Sequence, residues 1–183
     1  MAKRDHTRLK ELIMYIADRC QFRPNYGATM LNKILFFSDF KAYAKFGASI
    51  TNEDYFKLPW GPAPKYLLEA QEELVKAGRA IVQSRLTTKG PQRRTIPLRD
   101  DLDLSVFSPE QISLIDSVIE SLRDEDAESV SGLSHKFYGW QITKTEHVIP
   151  YATVFLKEPI PTPAPEAVRT TIDRLQKNRG QTV

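Results

Sequence analysis

Apolar residues recur at three- and four-residue steps through Leu9, Leu12, Ile13, Ile16, Ala17 and Cys20, which lays one stripe along a first helix from about Asp5 to Cys20. A turn cluster, Arg-Pro-Asn-Tyr-Gly, precedes a second helix over Thr29 to Tyr43, with Leu31, Ile34, Leu35, Phe37, Phe40 and Tyr43 mostly inward and Gly47 as its stop. Tyr55 to Leu58 reads as a short strand, because Pro59 forces Leu58 towards extended geometry. Trp60 to Pro64 then reads as a turn feeding a helix from Pro64 to Ala77, whose core face is Leu67, Leu68, Leu74 and Val75 and whose end is Gly78.

Ala80 to Leu86 and Thr95 to Leu98 form two short strands around Thr88-Lys89-Gly90-Pro91, with Pro97 confining its strand to an edge. A helix followed by such a hairpin has the outline of a winged helix. Past a solvated acidic connection, Ser108-Pro109-Glu110-Gln111 is a capping box with proline at the first helical position. Ile112, Ile115, Val118, Ile119 and Leu122 supply that helix with a buried stripe, and a further short helix follows from about Ala127 to His135. Trp140 and Tyr151 are expected to anchor the irregular stretch beyond it.

Four prolines fall between Pro159 and Pro165, favouring an extended polyproline linker. The expected organisation is one α+β domain over residues 1–158, mainly helical with a small antiparallel hairpin, a linker over 159–165 and an amphipathic tail over 166–183. In the tail Val168, Ile172 and Leu175 share a helical face, too short and polar to fold alone.

Composition narrows the function classes. The hydrophobic fraction of 41% and charged fraction of 27% are those of a globular chain, not a disordered one. No apolar run is long enough to span a bilayer and none follows the charged start as a signal peptide would, so a cytoplasmic location away from membranes is expected. The single cysteine, Cys20, excludes an internal disulfide or a multi-cysteine zinc site and is expected in the core.

Chemistry has little footing. The three histidines, His6, His135 and His147, are scattered, and no phosphate loop, HExxH or Cys/His ligand spacing occurs, so no catalytic residue, cofactor or metal is expected. Ser134-His135 near Trp140 suits packing better than catalysis, since adjacent helical residues face different directions. Asp39 stands out within an aromatic stretch. A carboxylate there needs a long-range partner such as a tyrosine hydroxyl or backbone amide unless it lies at the surface, and Lys33 is too far along the helix to pair with it. Arg85, Lys89, Arg93 and Arg94 surround the hairpin turn without a carboxylate, as on a DNA-binding wing or a surface that meets an acidic protein. The preceding helix carries Glu69, Glu72 and Glu73, which repel phosphate.

Leu31-Asn32-Lys33-Ile34-Leu35-Phe36-Phe37-Ser38-Asp39, then Ser49-Ile50-Thr51 with Tyr55, then Gly61-Pro62-Ala63-Pro64 resemble the Panacea domain of SocA-like antitoxins. Ser134-His135, Trp140 and Ile149-Pro150-Tyr151 extend the resemblance, which covers roughly residues 9 to 155. Phe36-Phe37 replaces the commoner Tyr-Phe or Tyr-Leu, and Ala63 stands where valine or isoleucine is usual; both are volume-tolerant changes. The resemblance implies a non-catalytic antitoxin that neutralises a cognate toxin encoded nearby by direct binding, with delivery of the toxin to a protease as a variant. Lys33, Phe37, Asp39, Tyr55, Gly61, Pro62, His135, Trp140, Pro150 and Tyr151 are then motif and structural residues. Candidate partner-binding residues are Arg85, Lys89, Arg93 and Arg94 with the tail residues Val168, Ile172 and Leu175. The competing reading is a winged-helix regulator on operator DNA.

Overall fold

The computed structural model describes residues 6–88 and 90–157. Helices α1 (Thr7–Cys20) and α2 (Ala28–Phe46) come first, followed by the strand pair β1 (Tyr55–Leu58) and β2 (Gly61–Pro64) and helix α3 (Leu67–Lys76). The hairpin β3 (Ala80–Thr87) and β4 (Gly90–Pro97) leads to α4 (Pro109–Ser121), α5 (Ala127–His135) and α6 (Tyr138–Ile142), and single 3₁₀ segments cover Leu104–Val106 and Tyr151–Phe155. The architecture is α+β and mainly helical, with two separate antiparallel strand pairs.

Helix α2 is the axis of the molecule. Met30, Leu31, Ile34, Leu35, Phe36, Phe40 and Ala42 are buried on it, together with the polar Lys33, Ser38 and Asp39, so it has no continuous solvent face. It packs against α1, α4, α5, β2, β4 and the Tyr151–Phe155 turn. Gly47 ends it as expected, at φ +74°, with its N–H donating to the Tyr43 carbonyl at 2.9 Å. Cys20 is in the core, and the α4 stripe is inward as expected, with Ile112 half-buried. The Ser108–Gln111 capping box forms in both directions, at 3.1 and 3.3 Å.

Several sequence expectations are corrected. Gly61–Pro64 is a strand rather than a turn, and α3 starts at Leu67 rather than Pro64. Two prolines are tolerated there because of the register: Pro62 lies opposite Lys57 and Pro64 opposite Tyr55. Those two β1 residues turn their backbone groups to the other edge, where Lys57 N–H donates to His147 O, Glu146 N–H to Lys57 O and Ile149 N–H to Tyr55 O. The missing proline N–H groups therefore cost the ladder nothing.

On α3 the buried residues are Leu67, Ala70, Gln71 and Leu74, whereas Leu68 and Val75 are 57% and 43% exposed. The leucine and valine that follow Leu67 and Leu74 belong to the adjacent stripe, one helical step round. Strand β4 runs from Gly90 through the polar Gln92, Arg93 and Arg94, so it is longer than Thr95 to Leu98. The hairpin is held on both faces: Gln71 donates to Thr95 Oγ1 at 2.7 Å from α3, and Arg94 reaches back to the end of α1. Pro159 to Pro165 and the 166–183 tail lie outside the described residues.

Candidate functional site

Two of the motif residues, Asp39 and Tyr55, meet in a buried polar hub. Asp39 is fully buried, and its Oδ1 accepts the backbone N–H groups of Ile50 and Thr51 at 2.7 and 2.8 Å. Its Oδ2 accepts the Tyr55 hydroxyl at 2.7 Å and the Thr51 hydroxyl. The long-range partner expected for this carboxylate is thus both a tyrosine and backbone amides. Burial pushes the Asp39 carboxyl above its usual range while the four donors pull against that shift, and burial together with the Asp39 charge pushes Tyr55 upward. Tyr151 donates to the Glu53 carbonyl at 2.7 Å and its ring stacks on Tyr43 at 5.3 Å, so the Pro150-Tyr151 segment closes the hub from outside. The Phe36 ring lies edge-on to Tyr55 and Phe137, and Phe37 packs half-buried beside it. A phenylalanine at 36 therefore fills its apolar site without adding a hydroxyl that would need a partner.

Lys33 does not pair with Asp39. It is 2% exposed and its ammonium donates to the Trp60 and Pro62 carbonyls at 2.7 and 3.4 Å, linking α2 to the β1–β2 hairpin. Desolvation lowers its pKa from 10.5 to about 8. Gly61 is required by this contact. Its φ is +98°, and a Cβ there would sit 2.5 Å from Ser134 Oγ and 2.7 Å from Lys33 Cε.

His135 stacks on Trp140, with ring centroids 4.1 Å apart and planes 17° from parallel, and the Lys57 ammonium lies 4.2 Å from the Trp140 centroid. His135 has its pKa lowered by burial and then by the charges of Lys33 and Lys57. Its Nε2 and the Trp140 Nε1 have no hydrogen-bond partner among the described residues. The Ser134 hydroxyl donates to the Ser131 carbonyl at 2.7 Å.

The hairpin cations divide. Arg85 and Arg93 are exposed, and Lys89 lies outside the described residues. Arg94 is half-buried and engaged within the chain: its Nη2 donates to the Gln21 and Arg23 carbonyls at 2.6 and 2.9 Å, and its guanidinium lies over Tyr26. Alternation on β4 turns Arg94 inward and Arg93 outward, which the run of two arginines does not reveal. Val168, Ile172 and Leu175 also lie outside the described residues.

Two features escaped sequence reasoning. Arg79 donates to Glu11 at 2.6 and 3.0 Å and to Asp101 at 3.0 and 3.1 Å, joining α1 to the segment after β4. His6 meets the buried Glu53 at 3.3 Å. Neither pairing has a local signal, because the partners are 22 to 68 residues apart.

Among the described residues no group of three His, Cys, Asp or Glu side chains could hold a metal ion, and no helix is long and apolar enough to cross a membrane. A cleft of about 460 Å³ between the start of α2 and the β3–β4 turn is lined by Gly27, Thr29, Gln92, Arg93 and Asp126 among others, and by none of the motif residues.

A family model described as antitoxin SocA-like, Panacea domain, matches residues 31–141, more than half of the chain. No curated protein and no solved structure matches.

Proposed function

The chain belongs to the SocA-like Panacea antitoxin family, and from that premise we propose that it silences a protein toxin by binding it directly, without chemistry of its own. The observation that carries this reading is how the motif residues are used. Lys33, Asp39, Tyr55, Gly61 and Tyr151 are occupied by contacts inside the chain that fix the β1–β2 hairpin on α2. A nucleophile needs a base within hydrogen-bond reach, and the one histidine in the motif is stacked on tryptophan with its neighbouring serine bonded elsewhere. The arrangement suits a rigid binding scaffold. The segment from residue 166, whose sequence carries Val168, Ile172 and Leu175 at helical spacing, is assigned to the same partner.

Co-expression with the product of the adjacent gene tests the reading. Restored growth together with copurification of the two chains is the expected result. Restored growth without a complex would overturn direct binding in favour of an adaptor or repressor. Removal of residues from Pro159 onward is expected to weaken the complex, and unchanged affinity would free the tail of that role.

A further inference from the structure

The tip of the β1–β2 hairpin combines exposure with immobility. Pro59 and Trp60 form the two-residue connection between Leu58 and Gly61, and the Trp60 side chain is 79% exposed with Leu58 beside it in the chain at 38%. The backbone under that ring is clamped. The Trp60 carbonyl accepts from Lys33, and Gly61 is pressed against Lys33 and Ser134. An indole standing in water on a fixed backbone loses little freedom on entering a pocket, which is the profile of an energetic anchor in a protein interface.

The segments that build and border the hairpin carry more cations than carboxylates. Segments 55–66 and 135–148 are joined by the Lys57–His147 backbone bond and by Lys57 over Trp140. Between them they carry Lys57, Lys65, Lys136 and Lys144 against Glu146, with Asp54 next to Lys65 at the open end of the hairpin, where its carbonyl accepts the Lys65 N–H. Lys65, Lys136 and Lys144 are exposed.

We propose that this tip is the toxin-binding surface, and that the partner presents an apolar pocket for Trp60 rimmed by aspartate and glutamate side chains. The inference rests on the antitoxin reading above. Charge complementarity selects an acidic protein surface, and the exposed indole with a fixed backbone selects a pocket over a flat charged face. The β3–β4 hairpin is the weaker candidate, since Arg94 is consumed internally.

The test uses the full chain and the product of the adjacent gene, scored by growth and by calorimetry on the purified pair, with the unfolding midpoint of each variant as control. Trp60→Ala and the double variant Lys136→Glu/Lys144→Glu are each expected to weaken binding about 30-fold or more while the midpoint holds. Trp60→Phe is expected to keep most of the affinity, and added salt is expected to weaken the wild type more than the charge-reversed variant. Wild-type affinity in both main variants would overturn the surface assignment while leaving the antitoxin reading intact. Failure of the wild type itself to rescue growth or bind would remove both. Loss of promoter-DNA retention in the charge-reversed variant, with the protein complex unaffected, would make this a nucleic-acid surface and overturn the proposal.

Discussion

The Tyr55 hydroxyl donates to Asp39 at 2.7 Å across sixteen residues of sequence, and both side chains are fully buried. This bond ties the first strand of the β1–β2 hairpin to the central helix at a carboxylate that also holds the Ile50 and Thr51 amides. It converts a loop between α2 and β1 into part of the core.

Asp39→Ala is therefore expected to cost about 3–5 kcal/mol, because two buried backbone amides and two hydroxyls lose their acceptor together. Tyr55→Phe removes only one donor and is expected to cost about 1–3 kcal/mol. Denaturant unfolding measures both, and equal effects would contradict the hub.

Gly61→Ala is expected to destabilise by roughly 2 kcal/mol or more, from a positive φ and from contacts under 3 Å with two other side chains. Adding Ser134→Ala is not expected to restore stability, because Lys33 still occupies the space. Full rescue in the double variant would show that the lysine yields.

The buried ammonium of Lys33 has a folded pKa of about 8 against 10.5 for the free side chain. Between those values the unfolded chain holds a proton that the folded chain has released, so folded stability gains as pH rises through this window and the burial penalty is fully present below it. Relative to Lys33→Met, the wild type is expected to gain on the order of 3 kcal/mol between about pH 8 and 10.5. Parallel pH profiles for the two proteins would argue against a charged, buried Lys33.

His135 shifts in the same direction but at acid pH. Burial and two nearby cations lower its pKa from 6.5, so its contribution is intact above 6.5 and is lost as pH falls below it. His135→Phe, which preserves a ring against Trp140, is expected to flatten that acid limb and to retain growth rescue. His135→Ala is expected to lower the unfolding midpoint. Loss of rescue in the phenylalanine variant at an unchanged midpoint would point to chemistry at the histidine.

Arg93→Ala is expected to change stability by no more than about 0.5 kcal/mol, and Arg94→Ala to cost about 1–3 kcal/mol, since only Arg94 satisfies carbonyls at the end of α1. Chemical unfolding of the two variants separates them. Equal midpoints would return Arg94 to the surface.

Much of the fold was legible in the chain because its signals are local. The Gly47 stop, the Ser108–Gln111 capping box and the α4 stripe each depend on residues within a turn or two of one another, and all three formed as read. The family motif was legible for a different reason: its residues are distinctive and occur in order, and the family model covers 31–141.

Tertiary structure decided everything that depends on what lies across the gap. Sequence alone determined that Asp39 needed a distant partner if buried, but only packing delivered Tyr55 and the Ile50 and Thr51 amides to it. The prolines of Gly61–Pro64 look like strand breakers until the register shows that their neighbours bond to the opposite edge. Arg93 and Arg94 are equivalent as letters and opposite in placement, because a strand's alternation acquires meaning only when one face meets another element. Local free energies of turns and caps are set by neighbouring residues, whereas burial and charge pairing are properties of the assembled molecule.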